Sequence, residues 1–290
     1  VKTYWLPSTD LKACHFLHTE PFERWEWWEA IGEPWGGIAC EAEGQLQAVW
    51  VLAERRVGPL RLWRMPLAVP YAPLLTPHLL PQPGYAKRAP ILQALGNFLR
   101  KAEWRLQLIA GTLSPAWSYL PPLYQAGVRP GVTGSFVVQT FTPSSALRRK
   151  LRQAEGLPVW PIEPASALSL WQANAPRGIR PRFRRQLENL VYGPFPWEIL
   201  AVGDPPQAVG FFLWGHHRVW YFASAHRPDS HPQAVTKLLA TILTKSTQAG
   251  KTFDFMGSVL PTIERFFYQF GPTWEYRLVL STPLLRWLYF

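Results

Sequence analysis

One pattern of elements occurs twice in this 290-residue chain, the copies about 145 to 160 residues apart, and so large a duplication dictates two similar halves. Gly37–Leu52, with Gln47-Ala48-Val49, matches Trp197–Trp214, with Gln207-Ala208-Val209. Each reads as a hairpin, turned at Glu43-Gly44 in the first copy and at Gly203-Asp204-Pro205 in the second. A strand and an amphipathic helix follow, Arg61–Arg64 with Ala89–Glu103 and Arg218–Ser224 with Pro232–Ala249. Ile91, Leu92, Leu95, Phe98 and Leu99 form one helical stripe; Val235, Leu238, Leu239, Ile242 and Leu243 form the other. Ser230 is the expected cap of the second helix and Gly250 its stop. Each copy then predicts a strand (Trp104–Ala110; Thr252–Met256), a short helix ending in glycine (Tyr119–Gly127; Ile263–Gly271) and a last strand (Gly134–Thr140; Trp274–Leu280). Strands and helices mixed in this order predict an α+β class with a mixed sheet. The domains expected are 1–143 and 144–290.

Apolar residues make up 48% and charged residues 17%, which excludes intrinsic disorder. Two cysteines, Cys14 and Cys40, rule out a disulfide framework and a four-thiolate zinc site. His15, His18, His226 and His231 lack partners at metal spacing, so no metal is expected. Lys2, Asp10 and Lys12 break any signal-peptide core, and no apolar run reaches membrane-spanning length, so the expected location is cytoplasmic. Leu284–Phe290, apolar with one Arg, reads as a final strand or else as a weak surface anchor.

The net charge is +11, and Arg outnumbers Lys by 22 to 8. Between Ser144 and Leu190, Arg148, Arg149, Lys150, Arg152, Arg177, Arg180, Arg182, Arg184 and Arg185 face only Glu155, Glu163 and Glu188. Such a concentration attracts anions, and guanidinium suits phosphate in particular. The first cluster predicts a helix capped by Ser144 or Ser145 and ended by Gly156, with Leu147 and Leu151 inward. The second begins as a loop and enters a helix ending near Tyr192-Gly193. The Pro-rich loop Pro66–Arg88 has no counterpart in the second copy, and its Tyr71 and Tyr85 are candidates to line a cleft.

Three stretches carry a resemblance: Leu147-Arg-Arg-Lys-Leu-Arg-Gln-Ala154, Phe253-Asp-Phe-Met-Gly-Ser258 and Ile263-Glu-Arg-Phe-Phe-Tyr-Gln-Phe-Gly271, with a fainter echo in Tyr71-Ala-Pro-Leu. In order and spacing they resemble the Fem-like branch of the GNAT acyltransferase superfamily, whose members carry two tandem GNAT-like domains. The resemblance implies transfer of an acyl or aminoacyl group to an amine, as in peptidoglycan cross-bridge enzymes that use aminoacyl-tRNA and act on nucleotide-linked or lipid-linked precursors. No tightly bound cofactor is implied; aminoacyl-tRNA or acyl-CoA serves as donor co-substrate. Phosphate-bearing partners follow, including tRNA and peripheral contact with an anionic lipid-linked precursor. GNAT enzymes that hold acetyl-CoA usually place a Gln/Arg-x-x-Gly-x-Gly/Ala turn before the long helix to grip the pyrophosphate. Here the connection reads His226-Arg-Pro-Asp-Ser-His-Pro232, without glycine. An acyl-CoA enzyme with a divergent pyrophosphate site and a non-catalytic tRNA- or anion-binding scaffold are the alternatives.

Acyl transfer needs a neutral amine, a polarised carbonyl and alignment of the two. Asp254, in an apolar strand, is the candidate base or amine-orienting carboxylate, or else a structural acceptor at the strand end. His216 and His217 read either as strand neighbours pointing to opposite faces, so that at most one meets a site and His217 is a second catalytic candidate, or as a hairpin turn pair. Tyr192 and Tyr221 can orient a substrate amide. The phosphate-binding candidates are Arg148, Arg149, Arg152, Arg180, Arg182, Arg184 and Arg185. Neither a Gly-x-Ser-x-Gly elbow nor a Gly-x-x-x-x-Gly-Lys-Ser/Thr loop occurs, against an esterase or P-loop ATPase.

Overall fold

A computed structural model describes residues 1–16, 20–58, 60–77, 85–103, 107–117, 119–175, 179–256 and 261–282. The expectations for Arg177, Gly257-Ser258 and Leu284–Phe290 lie outside them, as does the side chain of Tyr85. In chain order the first elements are β1 (Lys2–Pro7), α1 (Ser8–Lys12), α2 (Trp25–Ile31), β2 (Trp35–Ala42), β3 (Gln45–Val57), β4 (Leu60–Arg64) and β5 (Leu74–Leu75). Then come α3 (Tyr85–Glu103), β6 (Gln107–Thr112), α4 (Pro121–Gln125), β7 (Gly131–Val138), α5 (Ser145–Gln153), β8 (Val159–Pro161), α6 (Pro164–Asn174) and α7 (Pro181–Val191). The last are β9 (Trp197–Val202), β10 (Ala208–Trp214), β11 (Arg218–His226), α8 (Ala234–Gln248), β12 (Thr252–Asp254), α9 (Pro261–Tyr268) and β13 (Thr273–Ser281). They form two compact units: the first holds Val1–His18, Phe22–Gly134 and Tyr276–Phe290, the second Thr19–Pro21 and Ser135–Glu275.

The sheet of the first unit runs β1-β2-β3-β4-β6-β13, with β5 on β3. Its β2–β3 hairpin turns at Glu43 and Gly44, whose φ values of 54° and 74° are those of a type I′ turn. The β4 and β6 strands pair in parallel from Arg61 opposite Gln107 to Arg64 opposite Ala110. Helix α3 crosses over between them and buries Ile91, Leu92, Leu95 and Leu99 in a core shared with Trp50, Trp63, Leu278 and Leu280. Tyr71 is buried here: Phe22 meets it edge-on at 4.8 Å, and the Arg277 guanidinium lies 5.7 Å from its ring centre.

The second unit repeats the plan, its sheet running β7-β12-β11-β10-β9-β8. The β11–α8–β12 crossover gives a second parallel pair, and β7 adds antiparallel to β12 through Val138 opposite Phe253 and Val137 opposite Asp254. Leu238, Leu239, Ile242 and Leu243 of α8 are fully buried. At about 1.5–3 kcal/mol each, they set the register of that helix. Neighbouring residues of β10 separate the two faces: Phe212 joins the α8 and α5 core, while Phe211 meets Trp171 of α6 at 6.4 Å. Adjacent strand residues point oppositely, so α5 and α8 cover one face and α6, with α7 packed on it, the other.

The strand closing the first copy, β7, gives residues 135–138 to the second unit's sheet, and the strand closing the second, β13, gives residues 276–281 to the first. The α8 helix starts at Ala234, with Gln233 rather than Ser230 at its cap. Gly250, at φ 66°, ends it as expected. At α5 the Ser144 hydroxyl does cap, accepting from Leu147 N at 3.2 Å. Among the described residues no helix is long and apolar enough to cross a membrane.

Candidate functional site

The parallel strands of the two units end differently. In the first unit the pairing runs on: Met65 N donates to Ala110 O at 3.0 Å, and Ala72 N to Thr112 O at 2.8 Å. In the second, the pairs among the described residues of β11 and β12 are Arg218–Thr252, Val219–Phe253 and Trp220–Asp254. Beyond that point β11 continues to His226, and its register against β10 shifts so that Phe222 is left as a bulge. A bulge twists and bends its strand. On the described side of β12, Phe255 N turns instead to Phe136 O at 2.9 Å. The result is a fork in the sheet, bordered by the backbone of Tyr221–His226 on the side away from β10.

Asp254 sits at the crotch of this fork, 0% exposed. Its carboxylate accepts from Ser135 Oγ at 2.5 Å and Met256 N at 2.8 Å, and pairs with Arg218 at 3.4 Å. Arg218 is gripped in turn by both carboxylate oxygens of Glu275, at 2.7 Å each. Met256 follows with φ 58°, a left-handed conformation that the Asp254 acceptor holds in place. A carboxylate enclosed and occupied by these donors fixes the end of β12.

His217 is elsewhere. Of the two readings of His216-His217 the hairpin turn pair holds: both lie in the turn joining β10 to β11, their rings in edge contact at 4.4 Å, and the opposite-face strand placement that made His217 a site candidate is corrected. Glu20 makes the turn, its carboxylate accepting from His216 N at 2.9 Å and His217 N at 3.3 Å. Five residues of strand separate His217 from the bulge, about 16 Å. Partial burial, then His216, Lys251 and Arg218, push the His217 imidazole below its ordinary range.

The connection from β11 to α8 consumes its own amides. His231 N donates to Gln207 Oε1 at 2.9 Å, Gln233 N to His231 Nδ1 at 3.1 Å, Ala234 N to His231 O at 2.9 Å and Ser230 N to Arg227 O at 3.1 Å.

Neither a family model nor a curated sequence matches the chain. Solved structures do. FemX aligns over 99% of this chain and 100% of its own at a TM-score of 0.59 and 12% identity. A tandem GNAT protein from the clavulanic acid biosynthesis pathway aligns over 97% and 98% at 0.53 and 11%. L-PGS from Bacillus licheniformis aligns over 87% and 85% at 0.54 and 12%. This chain has a Fem-like tandem GNAT fold. At these identities the likeness speaks for the fold alone.

Within that fold, the turn before α8 is where acyl-CoA pyrophosphate would be gripped, and the residues present do not fit it. The amides of 230, 231, 233 and 234 are already bonded within the protein, so a pyrophosphate would have to displace His231 and Gln207.

The two arginine clusters do not converge. Arg148, Arg149 and Arg152 are exposed on α5, on the α8 face. Arg180 caps α7; Arg182, Arg184 and Arg185 occupy its first turns, on the α6 face. Cations at a helix N-terminus oppose its dipole and favour an anion nearby. Tyr192 is 61% exposed just after α7. Tyr221 packs among Phe212, Phe253, Phe255 and Phe267, with its hydroxyl bonded to Ser224; burial pushes it up to about 12. Sequence reasoning missed Glu20, Ser135, Arg218 and Glu275, whose partners are remote in the chain.

Proposed function

We propose that the protein is an N-acyl or N-aminoacyl transferase whose acyl group enters the β11/β12 fork. The fork carries this reading: among the described residues the β11/β12 pairing stops at Trp220–Asp254 while the equivalent β4/β6 pairing runs on, and a parting of strands is where a carbonyl can be held. The amine lone pair attacks the donor carbonyl carbon, a C–N bond forms, and oxygen charge develops near the β11 backbone that borders the fork. Collapse breaks the bond to the donor oxygen or sulfur, which takes the proton released by the amine. Asp254 acts as a positioning residue that sets the fork, and alignment supplies much of the rate.

The self-bonded turn before α8 favours aminoacyl-tRNA over acyl-CoA as donor. A Fem-type acceptor, an amine on a phosphate-bearing cell-wall precursor, agrees with the basic clusters on α5 and α7, which bind phosphates of donor or acceptor. The test is transfer from radiolabelled aminoacyl-tRNA and from acyl-CoA to amine acceptors. Turnover from the tRNA ester supports the reading; turnover from acyl-CoA alone reassigns the donor. Salt-sensitive tRNA binding with no turnover from either would make the chain a non-catalytic anion-binding scaffold.

A further inference from the structure

We infer that the hollow between α5 and α8 is a binding site for a phosphomonoester carrying hydroxyl groups, a nucleotide or a sugar phosphate. It is an opening of about 500 Å³ lined by Ser145, Arg148, Leu151, Arg152, Glu155 and Lys237, within the size range of small-molecule sites. On α5 residues 145, 148 and 152 are spaced three and four apart and form one stripe along the helix, and Glu155 stands in the turn just past its end. Lys237 of α8 faces that stripe across the hollow.

Three cationic side chains and one hydroxyl therefore converge on a space whose only acid is Glu155. Arg148 gives one N–H to Pro143 O at 3.1 Å, which leaves the rest of its fork open. Among the described residues Arg152, Glu155 and Lys237 have no side-chain hydrogen bond or ion pair, and Glu155 pairs with neither cation beside it. Like charges at i and i+4, here Arg148 and Arg152, destabilise a helix. Lys237 stands in the first turn of α8, which holds no acid, where a cation opposes the dipole. An anion in the hollow relieves both, and guanidinium forks match phosphate oxygens.

Glu155 fixes the class further. Its carboxylate repels an anion in contact with it, so the phosphate lies toward Arg148, Arg152 and Lys237, and the carboxylate accepts from a hydroxyl on the same ligand. The polar groups lining the hollow are side chains, and the amides of 230, 231, 233 and 234 ahead of it are bonded within the protein. It rests on the phosphate part of the proposed function and not on the transfer reaction.

Titration calorimetry at low salt with inorganic phosphate, AMP, glucose 1-phosphate and adenosine tests it, and none of these probes reads acyl transfer. AMP or glucose 1-phosphate should bind, adenosine should not, and Arg152→Ala/Lys237→Ala should weaken binding at least tenfold with an unchanged circular dichroism spectrum. Which organic phosphate binds more tightly separates the two sources. Arg56→Ala on β3, an exposed cation outside both arginine clusters, should change affinity less than twofold. Glu155→Gln should weaken the organic phosphates while leaving inorganic phosphate unchanged or tighter. If the double variant is misfolded, Arg152→Gln alone should lower the salt slope of log K by about one. No binding of any phosphate probe at millimolar concentration, equal binding of adenosine, or affinity indifferent to Arg152 and Lys237 would overturn the assignment.

Discussion

Removing the Asp254 carboxylate separates a positioning residue from a catalytic base. In Asp254→Ala the Ser135 hydroxyl and the Met256 N–H, bonded at 2.5 and 2.8 Å, lose their acceptor in a site closed to solvent. Each stranded polar group costs about 1–3 kcal/mol. Arg218 keeps its two bonds to Glu275, so it adds little, and the total is about 2–6 kcal/mol, a range that spans the cost of broken buried pairs. That is a large share of a typical stability of about 5–15 kcal/mol. Asp254→Asn retains an amide oxygen for both donors and loses only the 3.4 Å pairing with Arg218, at about 1–2 kcal/mol. Guanidinium unfolding followed by tryptophan fluorescence measures both, and exchange of the Met256 amide should quicken in the alanine variant. If Asp254→Ala unfolds within 1 kcal/mol of wild type, the network does not hold the strand end. If Asp254→Asn keeps its stability and loses all transfer, Asp254 is a base.

The other predictions concern the Glu20 turn, the α5 cap and His217. A Cβ on Gly215 would lie 1.8 Å from Glu20 Oε2 and 2.5 Å from the Trp220 ring, so Gly215→Ala should cost about 1–3 kcal/mol in denaturant titrations, and Glu20→Ala a similar amount through two stranded amides. Ser144→Ala should destabilise by about 1 kcal/mol through loss of the bond from Leu147 N; an effect below about 0.3 kcal/mol would mean the cap is idle. Because the folded protein holds the His217 imidazole below its ordinary range, the unfolded chain takes up the proton first. Its contribution is present above about pH 6.5, the unfolded value, and is lost as pH falls through the lower folded value. His217→Asn should flatten the fall in stability between pH 7 and 5, and an unchanged profile would refute this.

The elements visible in the sequence are those written locally. Glu43-Gly44 is a turn whose backbone requires positive φ at both residues, and the α8 stripe is a run of four buried aliphatics at helical spacing. The Ser144 cap lies three residues from its donor. What stayed hidden depends on distance. The turn at His216-His217 is tied by the Glu20 carboxylate 196 residues upstream, a partner that no local pattern names. The periodicity of β7 and β13 shows that they are strands, but not which sheet receives them, because alternation encodes faces and not partners. Helix α6 buries Ala167, Leu168 and Trp171, a stripe too short to stand out beside the arginine clusters. The clusters themselves were visible, but their placement on opposite faces follows from Phe211 and Phe212 pointing apart.

The most direct measurement is single-turnover transfer by the purified protein from aminoacyl-tRNA radiolabelled in its amino acid, with an amine acceptor in excess and acyl-CoA in a parallel reaction. Label should pass from the tRNA ester into an amide stable to mild base. Saturating tRNA binding with every ester left intact, and no amide from acyl-CoA either, would contradict an acyl-transfer role for the fork.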